Sequence, residues 1–201
     1  MENARLVVGL GNPGSDYART RHNAGFLLAE RLADRWQAAW RIDEGLRVRL
    51  ARSDRDGLRC WLAEPLTFMN CSGTAVAALM RYYRVSPEGL LVLVDDADLP
   101  LGELRMRPRG GAGGHHGLES VTEHLGTSDY ARLRLGIGRQ PEAGREITGH
   151  VLGRFSRDEA TLFAKVLERA ADAVTCWLES GIDTAMNRFN GAVVAPATKE
   201  S

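Results

Sequence analysis

The sequence predicts a single-domain α/β/α sandwich built on a mixed, mostly parallel twisted sheet. Three observations predict it. Short apolar runs that do not alternate, Leu6-Val7-Val8 and Leu90-Leu91-Val92-Leu93-Val94, read as strands buried on both faces. Stretches with helical spacing are interleaved between the strands. At 201 residues and 44% hydrophobic content, the chain can bury one core without a second domain. One domain is expected over residues 1–193, with a flexible tail over 194–201.

Residues 5–11 read as the first strand. From Ala24 to Ala38, Leu27, Leu28, Leu32 and Trp36 recur at helical spacing while Glu30, Asp34 and Arg35 face solvent. Leu46 to Leu50 alternates, then turns through Asp54-Arg55-Asp56-Gly57 and returns along Leu58 to Ala63, which is a hairpin signature. A helix through Val76, Leu79, Met80 and Tyr83 stops before Ser86-Pro87. Leu90 to Val94 is the central strand, ending on Asp95-Asp96, and Glu103 to Arg107 alternates again. The loop Gly110 to Gly117 opens onto a helix over Leu118 to Leu125, and Arg132 to Gly138 forms a further strand. Ser156-Arg157-Asp158-Glu159 is a capping box that starts a long helix, with Gly181 as its C′ residue.

Bulk properties exclude several classes. Formal net charge is zero, so nothing global announces a nucleic-acid partner. Of 26 basic residues only Lys165 and Lys199 are lysines, an excess of arginine that codon usage explains better than function for most of them. The three cysteines are far apart and form no C-x-x-C, so they read as small apolar residues in a reducing compartment. No signal-peptide pattern opens the chain and no apolar run approaches a membrane span, so a cytoplasmic protein is expected.

In doubly wound folds ligands bind beyond the carboxyl ends of the strands. Four loops fall there, 11–23, 65–71, 95–102 and 110–117, and the polar residues concentrate in them. Gly9-Leu10-Gly11-Asn12-Pro13-Gly14 matches the dinucleotide pattern G-x-G-x-x-G, but Pro13 to Asp16 reads as a turn and helical periodicity begins about ten positions later. No strand ends in an acidic residue at the required spacing of about 20 residues. The dinucleotide reading is therefore rejected, and the glycines are read as allowing a sharp turn. Metal-ligand spacing is absent among the five histidines, so no metal is expected. His124 and His150 read as structural.

His22 lies in the first polar loop and Asp95 at the end of the central strand. An Asp that accepts from one imidazole nitrogen leaves the other as a base. G-x-S-x-G is missing and Cys71 has no basic neighbours, so direct attack by water fits better than a covalent intermediate. Turn formation and capping account equally well for Asp95-Asp96, and Asx turns for Asn12 and Asn70.

With these residues assembled, the chain resembles the bacterial peptidyl-tRNA hydrolase family over nearly its whole length. The resemblance rests on Val8 to Gly14 with Tyr17, Thr20 to Gly25, Pro65 to Asn70 with Ser72-Gly73, Asp95 to Gly102, Gly113 to Leu118, and Arg132 to Gly138. It implies a cofactor-independent monomer that hydrolyses the ester between a peptide, or N-blocked aminoacyl group, and the tRNA 3′ end. It implies His22 as the proton acceptor, Asp95 as the carboxylate that holds it, and Asn12 as the discriminator of blocked from free aminoacyl groups. Tyr17, Phe68, Met69 and Asn70 match contacts to the 3′ CCA end, and Arg105, Arg107 and Arg134 match basic positions toward the acceptor arm. The family's usual Gly-His-Asn-Gly reads Gly114-His115-His116-Gly117 here, so His116 replaces a substrate-contacting carboxamide. Val94 replaces a frequent histidine. The alternative is an RNA-binding relative in which His116 has weakened or abolished hydrolysis.

Overall fold

The computed structural model describes residues 4–55, 57–139 and 147–193. In chain order the elements are β1 (Ala4–Gly9), α1 (Ala24–Trp36), β2 (Arg41–Asp43), β3 (Val48–Arg55), β4 (Leu58–Pro65), α2 (Ser72–Tyr83) and β5 (Leu90–Asp96). They continue with β6 (Glu103–Arg107), α3 (His116–Leu125), β7 (Ala131–Gly136), α4 (Ile147–Val151), α5 (Arg157–Phe189) and β8 (Gly191–Ala192). The strands form one sheet in the order β2-β3-β4-β1-β5-β7-β6-β8. The ladders β4-β1, β1-β5 and β5-β7 are parallel. Antiparallel ladders extend both edges, because only β3 and β6 run against the other strands.

Each face of the sheet has its own core. Val7, Leu62, Leu91, Leu93 and Leu133 pack against Leu28 and Leu32 of α1 and against Phe163, Val166 and Val174 of α5. Leu6, Val8, Ala63, Leu90, Val92 and Val94 pack against Val76 and Leu79 of α2 and Leu118 and Val121 of α3. Neighbouring residues of β1 and β5 thus feed opposite layers. That is why their sequences are apolar throughout rather than alternating.

The capping box forms as read: Ser156 Oγ accepts from the Glu159 amide, and the Glu159 carboxylate accepts from the Ser156 amide at 2.7 Å. Gly181 (φ 81°, ψ 174°) does interrupt the helix, but a second helical stretch continues to Phe189. The short edge strands β2 and β8 were not foreseen. They are two or three residues long and owe their form to pairing with β3 and β6 rather than to any pattern of their own. Asp56 of the hairpin turn and the tail over 194–201 lie outside the described residues.

The glycines of the first loop do something other than what the sequence suggests. Among Gly9, Gly11 and Gly14 only Gly14 adopts a positive φ, of 107°. A Cβ on Gly9 would stand 2.3 Å from the Gly25 carbonyl oxygen, and one on Gly25 would stand 2.3 Å from the Leu93 carbonyl oxygen. Gly9 and Gly25 therefore let α1 press onto the ends of β1 and β5, while Gly11 makes room for the Phe26 ring. Close approach, not turning, is their main purpose.

Candidate active site

The loop from Asn12 to Asn23 is stitched by its own side chains. The Asn12 amide donates to Asn23 Oδ1, and Asn23 Nδ2 donates to the Asn12 carbonyl, both at 2.9 Å. Thr20 Oγ1 donates to the Tyr17 carbonyl at 2.9 Å. Buried Arg21 donates to Glu159 at 2.8 Å and lies 5.2 Å from the Phe155 ring centre, which ties the loop to α5. Arg21 is thereby a structural arginine. The fixed loop carries His22 in a single 3-10 turn immediately before α1.

His22 Nδ1 stands 2.9 Å and 3.0 Å from the two carboxylate oxygens of Asp95. Asp95 is 2% exposed and also receives His115 Nε2, at 2.9 Å from Oδ1. The protons can be assigned around this centre. The Leu118 amide donates to His115 Nδ1 at 3.3 Å, so that nitrogen carries no proton and Nε2–H must donate to Asp95. Asp95, acceptor-only when ionised, also takes Nδ1–H of His22. His22 Nε2 is left as an open lone pair.

Burial drives the Asp95 carboxyl upward, but the His115 and His22 imidazoles outweigh it and hold it at about 2. It remains a carboxylate throughout the neutral range. Its ionised contribution persists above the ordinary carboxylate range and is lost only as pH falls toward 2. Among the described residues, His22, Asp95 and His115 are the trio whose ligand atoms come within 4.8 Å of one another. Their mutual hydrogen bonds already account for that grouping. His115 is the residue that the sequence reading missed. Its signal was an N-cap position, since its side chain caps α3 where Ser, Thr, Asp or Asn usually stands.

The cleft around this centre has a volume of about 530 Å³. Asn12, His22, Phe68, Met69, Asn70, Asp95, His116 and Arg134 all line it. Asn12 is buried, and its Oδ1 accepts from the Met69 amide at 2.8 Å. With its oxygen committed, this amide can offer only N–H donors to the cleft. Phe68 is 60% exposed, and Asn70 is exposed beside it. His116 begins α3, projects outward, and places Nδ1 3.0 Å from Glu119.

The other candidates lie differently. Tyr17 is half-buried and is not among the residues lining the cleft. Arg105 and Arg107 are exposed on β6, opposite Arg134 and Arg132 of β7. Arg134 is already engaged, by Asp96 at 3.2 Å and by the carbonyls of Gly111 and Ala112 at 2.9 and 3.1 Å. Arg132 is fully buried against the Tyr130 ring and donates to the carbonyls of Gly110, Gly111, Ser128 and Tyr130. Together the two arginines hold the glycine-rich loop from beneath.

The chain is similar to known proteins along most of its length. The family model for peptidyl-tRNA hydrolase matches residues 6–198. A peptidyl-tRNA hydrolase of Symbiobacterium thermophilum is 49% identical over 189 residues, covering 93% of this chain and 99% of that protein. One from a Synechococcus species is 47% identical over 186 residues, covering 92% of this chain and 82% of its own. The crystal structure of peptidyl-tRNA hydrolase from Acinetobacter baumannii superposes with a TM-score of 0.88 at 37% identity, covering 96% of this chain and 97% of that one. The chain belongs to the peptidyl-tRNA hydrolase family.

Proposed function

We propose that this protein hydrolyses the ester of peptidyl-tRNA, with water activated by His22 in the grip of Asp95. The observation that carries the mechanism is the pairing of His22 Nδ1 with a buried carboxylate at 2.9 Å, which leaves Nε2 open to the cleft. Nε2 takes a proton from water as its oxygen attacks the ester carbonyl. Ionised Asp95 stabilises the imidazolium that forms. Collapse of the tetrahedral intermediate breaks the bond to the ribose oxygen, which takes the proton back from His22 Nε2. The products are a peptide carboxylic acid and a tRNA with a free 3′-terminal hydroxyl. No cofactor enters.

Asn12 supplies discrimination. Its N–H donors complement the carbonyl of an N-blocked aminoacyl group, whereas a free α-ammonium offers only donors in return. Exposed Phe68 and neighbouring Asn70 and Met69 receive the CCA end by stacking and hydrogen bonding, and Tyr17 flanks that end from outside the cleft. Arg105 and Arg107 offer their free faces to acceptor-arm phosphates, while Arg134 and His116 border the substrate. His116 is exposed and pairs with Glu119, and the His22–Asp95 pair stands intact beside it, which gives no support to a binding-only relative. A monomer working in the cytoplasm fits this reading, and no helix among the described residues is long and apolar enough to cross a membrane.

Release of N-acetyl-aminoacyl groups from tRNA tests the reading. His22→Ala is expected to lower kcat/KM by roughly 10²–10⁴ with an unchanged circular dichroism spectrum. Near-wild-type turnover in that variant would remove His22 as the base.

A further inference from the structure

α2 closes on Arg81-Tyr82-Tyr83, with Arg84 as its left-handed cap. The helix begins two residues after Asn70 and spans 12 residues, so this end stands about 18 Å from the rim of the cleft. Here aromatic rings from two elements meet. Trp61 of β4 and Tyr83 have ring centres 4.1 Å apart at 31°, and Tyr82 meets Tyr83 edge-on at 4.9 Å. The guanidiniums of Arg41 and Arg52 lie 5.9 and 5.6 Å from the Trp61 ring centre. Arg41 also donates to the Tyr83 hydroxyl at 3.4 Å, which ties β2 to α2. Trp61 is buried and Tyr83 half-buried, whereas Tyr82 is 67% exposed. A rigid stack thus backs one tyrosine whose ring is open to water.

The cations beside it are uncommitted. Arg31, Arg35, Arg49 and Arg52 each face a carboxylate. Arg41, Arg81 and Arg84 are exposed, and none has a carboxylate within ion-pair reach among the described residues. Of the acidic side chains on β2 and β3, Asp43 accepts from the Leu46 amide and Asp54 pairs with Arg52. Three unpaired guanidiniums around an exposed ring suit single-stranded nucleic acid, in which phosphates meet the cations and a base stacks on the ring. A second copy of this chain would instead set the same arginines against one another across a two-fold axis.

We propose that this face binds a short segment of single-stranded RNA, with one base on Tyr82 and its phosphates on Arg41, Arg81 and Arg84. The face is separate from the surface assigned to the substrate. In sheet order β2 lies six strands from β6, about 29 Å away, so RNA held here is not the acceptor arm at Arg105 and Arg107.

Fluorescence anisotropy with a labelled octa-uridylate, which lacks a CCA end, tests the proposal at about 50 and about 200 mM salt. Tyr82→Ala is expected to weaken binding by roughly tenfold, the factor that one stacked base is worth, and Tyr82→Phe should keep it. Joint Arg81→Gln and Arg84→Gln substitution should flatten the slope of log affinity against log salt by about 1.4, for two lost phosphate contacts. Turnover of N-acetyl-aminoacyl-tRNA and the circular dichroism spectrum should be unchanged in all three. Absent binding by the wild-type protein, or equal affinity in Tyr82→Ala, overturns the proposal. Binding that is lost in Arg105→Gln with Arg107→Gln but kept in Tyr82→Ala places the RNA on the substrate surface and also overturns it. Self-association in analytical ultracentrifugation that Tyr82→Ala abolishes, without any RNA binding, assigns the face to a second copy instead.

Discussion

At the scale of single residues, the site depends on one carboxylate shared by two imidazoles. His22 and His115 approach Asp95 from different loops, with ring centres 5.2 Å apart. Sequence reading found His22 and Asp95 because a polar loop and an apolar strand both end in functional groups. It passed over His115 because two adjacent histidines give no spacing that distinguishes them. Their separate fates, inward to Asp95 and outward to Glu119, are set by where α3 begins. His115 acts as a positioning residue, since its Nε2–H orients the carboxylate that orients the base. His115→Leu should lower kcat by roughly 10–100-fold with little change in KM, the usual cost of losing such an outer partner. His115→Gln, which keeps a donor and an acceptor at similar separation, should recover most of that loss. Equal defects in kcat for both variants, or a defect confined to KM, would contradict this role.

At the scale of elements, the parallel strands and their helices were legible from pattern alone. β5 is apolar from Leu90 to Val94 before its two aspartates, α1 keeps its helical spacing, and α5 starts on a capping box that the structure reproduces. The reason for Gly9 and Gly25 was not legible, because a glycine that admits a neighbouring backbone looks in sequence like one that turns. Gly25→Ala tests the distinction. A methyl group 2.3 Å from the Leu93 carbonyl oxygen and 2.5 Å from the Leu10 backbone forces α1 away from the sheet. A loss of roughly 1–3 kcal/mol in chemical denaturation is expected from such overpacking. Activity should fall with it, since the turn carrying His22 leads directly into α1. A variant as stable and active as the parent would show that α1 is free to shift.

At the scale of the whole molecule, one buried carboxyl outside the active site ties stability to pH. Glu64 is 1% exposed near the end of β4, and its Oε1 has no hydrogen-bond partner among the described residues. Burial raises its pKa to about 8, even though the Arg49 guanidinium lies 3.0 Å from Oε2, with Glu30 adding to the rise. A raised carboxyl favours the native state most at pH below its unfolded value of 4.5, and that advantage is lost as pH rises through about 8. Across that window the slope is at most about 1.4 kcal/mol per pH unit. Glu64→Gln should flatten it and raise the melting temperature at pH 8 more than at pH 5, as calorimetry at both pH values would show. An unchanged pH dependence would mean that Glu64 is ionised in the native state. The sequence by itself determined the layered α/β architecture, the main strands and helices, and the loops that hold the chemistry, because apolar periodicity and capping are local properties of the chain. Only the tertiary structure decided that His115 shares Asp95, that Arg132 and Arg134 turn inward to hold the glycine loop, and that Arg41 of an edge strand meets Tyr83 of α2. Each of these depends on which strands become neighbours, and strand order is set by packing both faces of the sheet at once.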